Sequence, residues 1–300
     1  MNGRTGVIPA LLVCPLCTEP LEVSADRFTC ASGHLFDVAR EGYVNLLLPQ
    51  HRRSNDPGYS KGMIAGRRDF FDAGHYEPLA DEVGRFLSEY LPATGPRVVV
   101  DAGCGEGYYL RRLRRLLTST GREADTLLCG IDISKHGIRV AARRDPEGLY
   151  VVAGTHRMPV LASSVDVLLT HFSPVAPDNF RRVVKPGGVV LVGGPAEGHL
   201  YALKEELYET PVQHEPADPL ADTEGFEPIG ARSIRYPLRL RGGDAVAKLL
   251  LMTPFYWAVG EETRARIAQL GGLDTEVDVQ VRAYRRTTPD TPEDEVGRSR

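Results

Sequence analysis

The sequence predicts an α/β protein: a parallel, doubly wound sheet preceded by a small N-terminal module too short to fold on apolar burial alone. Three observations carry that prediction. Between Arg97 and Val192, short β-branched runs alternate with helical patterns in units of about thirty residues, as in a parallel sheet with helices on both faces. A glycine-rich bend follows the first of these runs and opens the first helix. Three of the five cysteines fall within the first thirty residues, ahead of any long apolar periodicity.

The first element is the module, expected over residues 1–45. Cys14-Pro15-Leu16-Cys17 is a C-x2-C pair; Cys30 follows after twelve residues and His34 after three more. A C-x2-C turn sets two thiolates on one edge of an ion, and a hairpin of about a dozen residues returns the second pair. Gly33 supplies the tight bend before His34. The set Cys14, Cys17, Cys30 and His34 is a Cys3His group, one of the closed structural sites for tetrahedral zinc. All four positions are filled by protein, so the zinc is read as structural. Metal binding replaces the missing core, at an apparent ~10–16 kcal/mol for zinc peptides. An odd cysteine count also fits poorly with a closed disulfide framework.

Residues 46–90 are read as a basic linker and a helix. Arg52-Arg53, Lys61 and Arg67-Arg68 supply the charge, and Asn55-Asp56-Pro57-Gly58 is a turn signal. From Tyr76 to Leu91 the residues Leu79, Val83, Phe86, Leu87 and Tyr90 recur at helical spacing.

The sheet domain is expected over 91–285. Arg97–Asp101, Thr126–Ile131, Leu149–Val152, Val165–Thr170 and Val189–Val192 read as strands, and Tyr108–Leu117 and His136–Arg144 as helices. Further on, Arg232–Leu240 and Asp274–Tyr284 read as strands with a helix over Gly243–Ala258. Residues 286–300, rich in Thr, Pro, Asp and Glu, are expected to be a disordered tail.

The bend itself is Asp101-Ala102-Gly103-Cys104-Gly105-Glu106-Gly107. Alternate glycines let the backbone turn tightly and approach a ligand, and the helix behind them presents free N–H groups. The spacing Gly103, Gly105, Gly107 lacks the register of the dinucleotide fingerprint and the Gly-Lys-Ser/Thr of a P-loop. Asp101 is placed to hold the ammonium of an amino-acid ligand. Asp132, ending the second strand, is placed to accept from ribose hydroxyls. Together these parts describe S-adenosylmethionine better than a pyrophosphate. Cys104 reads as small filler.

The net charge of −4 argues against a protein that coats nucleic acid without specificity, though it leaves room for a local basic face. No stretch approaches eighteen apolar residues, and the run Val7–Val13 is too short for a secretory signal. A cytoplasmic protein with no membrane partner is expected.

The bend with Tyr108-Tyr109 resembles motif I of the class I (Rossmann-like) methyltransferases, and Lys185-Pro186-Gly187-Gly188 is similar to the turn before their fifth strand. More specifically, the zinc segment, Glu41-Gly42-Tyr43-Val44-Asn45-Leu46-Leu47 and Asp72-Ala73-Gly74-His75-Tyr76-Glu77-Pro78-Leu79 resemble the bacterial 23S rRNA guanine-N1 methyltransferases. These include the enzymes giving resistance to tylosin-type and mycinamicin-type macrolides. The likeness runs from about Cys14 to Phe255. It implies methylation of N1 of a guanine in a hairpin of 23S rRNA domain II. It also implies a homodimer whose zinc modules help grip RNA, and cofactor contacts at Tyr76, Tyr109, Leu110 and His199. His156, just after the third strand, is a further candidate near the adenine. The segment His171-Phe172-Ser173-Pro174-Val175 keeps the family's proline but not its usual neighbours.

Guanine N1 carries a proton that must leave, so a base or a negative field is expected at the target. His171 and Asp178 are candidates, and neither is assigned. Phe172 or Tyr76 is placed to stack on the base. Besides the linker residues, Arg232, Arg235, Arg239 and Arg241 form a second basic group for RNA. Arg111-Arg112 and Arg114-Arg115 read as a solvated helix face. The alternatives are a small-molecule methyltransferase of natural-product biosynthesis and a non-catalytic RNA-binding protein; the intact Asp101, Gly103, Gly105 and Asp132 argue against the second.

Overall fold

The structure is a computed structural model that describes residues 11–24, 26–51 and 60–288. The N-terminal residues through Ala10, the pair Arg52 and Arg53, the turn at Asn55–Gly58 and the tail from 289 onward lie outside the described residues.

Strands β1 (Glu22–Ser24), β2 (Arg27–Thr29) and β3 (Leu35–Asp37) form a small antiparallel sheet. Three-residue strands bury little, and Leu21 and Phe28 are the main apolar anchors there. With Cys14 and Cys30 they join a buried cluster that continues into Val44, Val98 and Val100. The reason is β4 (Tyr43–Asn45), which pairs in parallel with β7 (Leu149–Val152), Tyr43 opposite Tyr150. The N-terminal segment thus contributes a strand to the main sheet.

That sheet also contains β5 (Arg97–Ala102), β6 (Thr126–Asp132), β8 (Val165–His171), β9 (Val184–Pro195), β10 (Phe226–Arg241) and β11 (Gly272–Arg286). Its order is β10-β11-β9-β8-β5-β6-β7-β4. The strands from β4 to β9 run parallel, whereas β11 and β10 are antiparallel. Every residue of β5 is buried, as its unbroken Val98-Val99-Val100 run requires between two helical layers. The chain leaves β5 for β6 on one side and reaches β8 on the other, so a crevice opens at the carboxyl ends of these strands.

Helix α1 (Lys61–Asp72) was not apparent in the sequence. Ser60 caps it, its hydroxyl accepting from Met63 N–H at 3.3 Å. Helix α2 (Glu77–Ser88) buries Leu79, Val83, Phe86 and Leu87, the stripe that predicted it. Helices α3 (Tyr108–Ser119), α4 (Lys135–Arg144), α5 (Pro177–Val183) and α6 (Tyr201–Leu207) follow. The helix expected over Gly243–Ala258 is two, α7 (Gly243–Leu251) and α8 (Phe255–Ala258), with α9 (Glu261–Ala268) after them. Pro254 makes the break, because a proline disfavours helical geometry at the residue before it. Helix α7 lies on α1 where Gly66 has no side chain; a Cβ there would meet Leu251 at 2.7 Å.

Of the four α3 arginines Arg115 is exposed, as expected of a solvated face, but the other three are not. Arg111 bonds Glu106 at 3.0 Å, Arg112 bonds Asp81 at 2.5 Å, and Arg114 bonds Asp145 at 2.7 Å. They fasten α3 to its neighbours. Three of the four β10 arginines are similarly engaged, Arg232 with Glu82 and Glu89, Arg235 with Glu276, and Arg241 with Asp274, while Arg239 is exposed.

Candidate active site

The four zinc candidates converge. The donor atoms of Cys14, Cys17, Cys30 and His34 all lie within 4.8 Å of one another. The Cys30 and Cys17 sulfurs are 3.5 Å apart, and His34 Nδ1 sits 3.3 Å from Cys30 Sγ and 3.6 Å from Cys14 Sγ. A tetrahedron of Zn–S bonds has edges of roughly 3.8 Å, so the set fits one zinc ion. Gly33, at φ +80°, makes the turn that returns His34. Around the donors, Leu16 N–H donates to Cys14 Sγ at 3.4 Å, and Glu19 accepts from Ser32 N–H at 2.9 Å.

At the carboxyl end of β5 the chain bends over β6. Gly103 and Cys104 N–H both donate to the Ile131 carbonyl, at 2.8 and 3.1 Å. Gly103, Gly105 and Gly107 have φ of +94°, +57° and +78°, the left-handed region that favours glycine. At Gly103 the space is also closed, because a Cβ would lie 1.9 Å from Ser173 Oγ. Helix α3 starts at once: Arg111 N–H is the first to return to the Gly107 carbonyl. The N–H groups of Tyr108, Tyr109 and Leu110 therefore have no partner within the helix and give its N-terminus a positive end.

Asp101 is buried below the bend, and its Oδ2 has no hydrogen-bond partner. Burial, with the Asp132 carboxylate beside it, pushes its carboxyl up to about 8. A buried, unsatisfied carboxyl is costly unless a cation completes it. The ammonium of an amino-acid ligand is such a cation. Asp132 at the end of β6 accepts from Gly105 N–H at 2.8 Å and from Ser134 N–H at 2.7 Å. Burial still raises its carboxyl, but these bonds oppose the shift. Asp132 thereby fixes the bend while keeping lone pairs for a ribose. Asp101, the cradle and Asp132 fit S-adenosylmethionine.

Next to the bend lies a cavity of about 660 Å³, within the ordinary range for small-molecule sites. Ser173 and Arg67 join the two, since Arg67 lies 3.6 Å from where a Gly105 Cβ would be. Aromatic rings form part of the walls, among them Tyr76, Tyr109, Phe172, His199, His214 and Phe255. Phe172 and His199 stack at 5.4 Å, His199 and His214 lie 6.0 Å apart, and His214 stacks on Phe255 at 6.1 Å.

Two family models match the chain: a zinc ribbon described as RlmA, N-terminal, over residues 12–55, and a methyltransferase domain over residues 100–192. The 23S rRNA (guanine(748)-N(1))-methyltransferase of Streptomyces fradiae is 35% identical over 266 residues, covering 87% of this chain and 91% of the relative. The chain belongs to the 23S rRNA (guanine-N1) methyltransferase family. Another relative carrying that family name, from Micromonospora griseorubida, is 35% identical across 86% of this chain and 91% of its own length. The protein is an S-adenosylmethionine-dependent methyltransferase with a structural zinc.

The methyltransferase brings most of the expected residues to one crevice. Tyr76, Tyr109 and His199 line the cavity, and Leu110 is buried at the start of α3. His199 holds its ring by accepting at Nδ1 from Asp278 N–H at 3.2 Å. His156 is exposed on a short turn after β7 and is absent from the cavity wall; its carbonyl accepts from Asn179. Asp178 is 98% exposed and paired with Arg181. His171 is buried at the end of β8 with both ring nitrogens unpartnered, and burial holds its imidazole down at about 3. Sequence reasoning missed the site roles of His214, which lies in a stretch with no periodic signal, and of Phe255, read only as part of a helix over Gly243–Ala258. It read Arg67 only as linker charge, yet α1 carries it into the cavity, over the Phe71 ring at 4.9 Å.

Proposed function

We propose that this enzyme methylates N1 of a guanine in the domain II hairpin of 23S rRNA, in the cytoplasm, and that the modification confers macrolide resistance. The observation that carries the reading is the buried, unpartnered Asp101 carboxyl under the Gly103–Gly107 bend, in a chain that also bears the zinc ribbon. When bound, S-adenosylmethionine supplies an electrophilic methyl on a sulfonium. Asp101 would hold its ammonium, the N–H groups at the start of α3 its carboxylate, and Asp132 its ribose hydroxyls. The protein's task is then alignment of donor and acceptor.

The cavity stands at the carboxyl ends of β8 and β9, where an extruded base can enter beside the bend. Arg67 places a guanidinium in the cavity wall, where, in place of the negative field expected, its charge would stabilise the guanine anion once N1 has lost its proton. We further propose a homodimer whose zinc ribbons grip the RNA; no helix among the described residues is long and apolar enough to cross a membrane. Tritiated methyl incorporation into unmodified 23S rRNA, mapped by primer extension, tests the assignment. N1 methylation blocks Watson–Crick pairing, so a single new stop in domain II is expected. An inert rRNA, with methyl accepted by small phenols or amines instead, refutes it.

A further inference from the structure

We infer that the extruded guanine stacks on the ring of Phe172. The inference rests on the rRNA reading above and names the side chain that holds the acceptor. Phe172 is the first residue beyond β8, and its ring forms part of the cavity wall. Its backbone sits at φ +51°, a left-handed conformation that bulky residues rarely adopt, pinned by its N–H donating to the Gly193 carbonyl at 2.9 Å. Strain of this kind persists where surrounding structure enforces it, and it clusters at ligand sites. Packing does not explain it here, because Phe172 is 38% exposed.

The ring is prepared for a partner. His199 stacks behind it at 5.4 Å with 29° between planes, and His199 is itself fixed by the Asp278 N–H. His171 abuts it at 64° with centroids 4.4 Å apart. Its neighbour Ser173 touches the glycine bend, so platform and donor loop are one residue apart. The other aromatic groups are less suited. Tyr76 is only 4% exposed and packed between Phe70 and Phe71, and Phe255 carries the Lys204 ammonium over its ring and Tyr208 at its edge besides the stacked His214.

A base stacked on Phe172 keeps its hydrogen-bonding edge, N1 included, free in its own plane. Stacking holds any base, since every base has a π-face. Phe172 is thus a holding residue, and the choice of guanine belongs to groups that meet the edge. His199, which also lines the cavity, then serves as a positioning residue for the platform.

The test compares Phe172→Leu and Phe172→Tyr on unmodified 23S rRNA, with S-adenosylmethionine affinity measured by calorimetry on the zinc-loaded full chain. Losing one stacked base lowers kcat/KM by about 5- to 150-fold in Phe172→Leu. Phe172→Tyr keeps near-normal activity, and donor affinity is unchanged in both. His199→Ala lowers kcat/KM in the wild-type background but adds little in the Phe172→Leu background. Wild-type kcat/KM in Phe172→Leu overturns the platform and leaves the rRNA reading standing. A parallel loss of donor affinity also overturns it, by showing that the ring serves the fold or the cofactor. Should the wild-type enzyme itself leave 23S rRNA unmodified, the rRNA reading falls and the platform loses its occupant.

Discussion

Replacing Gly103 with alanine adds one methyl group at the tightest point of the bend. The backbone there has φ +94°, so a side chain carries a left-handed penalty of about 1–2 kcal/mol. The new Cβ would also lie 1.9 Å from Ser173 Oγ and 2.5 Å from Ser173 Cβ. Rotating the serine hydroxyl relieves the first contact but not the second, because the backbone fixes Cβ. Overpacking of this kind costs about 1–3 kcal/mol. The sum, roughly 2–5 kcal/mol, is a large share of the ~5–15 kcal/mol that holds a domain folded. Urea unfolding of the single variants and of Gly103→Ala with Ser173→Gly isolates the two contributions. The double variant should recover the overpacking part, a coupling of about 1–3 kcal/mol, and keep the backbone part. Donor binding, read by calorimetry, should fail in Gly103→Ala. A Gly103→Ala protein that unfolds like wild type and takes up the donor normally would refute the reasoning. So would a Ser173→Gly background that rescues nothing.

Asp101 makes donor binding pH-dependent. Burial holds its empty-state carboxyl at about 8, and an ammonium needs the carboxylate, so binding should release a proton below that pH and tighten as pH rises towards it. The empty fold keeps a proton that the unfolded chain has already lost, so its stability should fall as pH rises from the ordinary carboxylate range to about 8. Asp101→Asn should remove both effects; calorimetry in buffers of different ionisation heat would expose the error if no proton is released. Chelation should extract one zinc per chain and abolish hydrogen-exchange protection over residues 11–46, and unchanged protection would contradict the metal's structural role. His171, held at about 3 by burial and then by Arg67, should stay neutral throughout the working range. An imidazole signal titrating near neutrality in the NMR spectrum would show the pocket to be wetter than the structure has it.

The sheet was legible where each strand is buried on both faces. Val98-Val99-Val100 and Leu149–Val152 are unbroken apolar runs, because helices cover both sides. The donor residues were legible because their chemistry is local: the glycine spacing and the C-x2-C pair need no distant partner. What sequence did not show depends on contacts between distant segments. The stripe Met63, Ile64, Phe70 and Phe71 of α1 is diluted by Gly62, Gly66, Arg67 and Arg68. Strand β4 is three residues long, and only its pairing with β7 identifies it. The arginines of α3 read as solvated because their acids, Asp81 and Asp145, lie about thirty residues away on either side. The aromatic wall joins Phe172, His199, His214 and Phe255 from four separate stretches, and no spacing links them.

The two rims of the main sheet end very differently. An exposed row of unpaired backbone groups is a template on which another chain can add. On one side, the rim strand β10 is sixteen residues long but carries four arginines, three of them matched to acids. On the other, β7 would be bare without β4, and β4 is itself shielded by the bridge from Val38 to Val44. The short strand stays in place because the ribbon behind it is tied by its metal. Removing zinc should therefore loosen β4 and bare the β7 rim, and metal-starved protein should aggregate from that rim before its methyl-transfer domain unfolds.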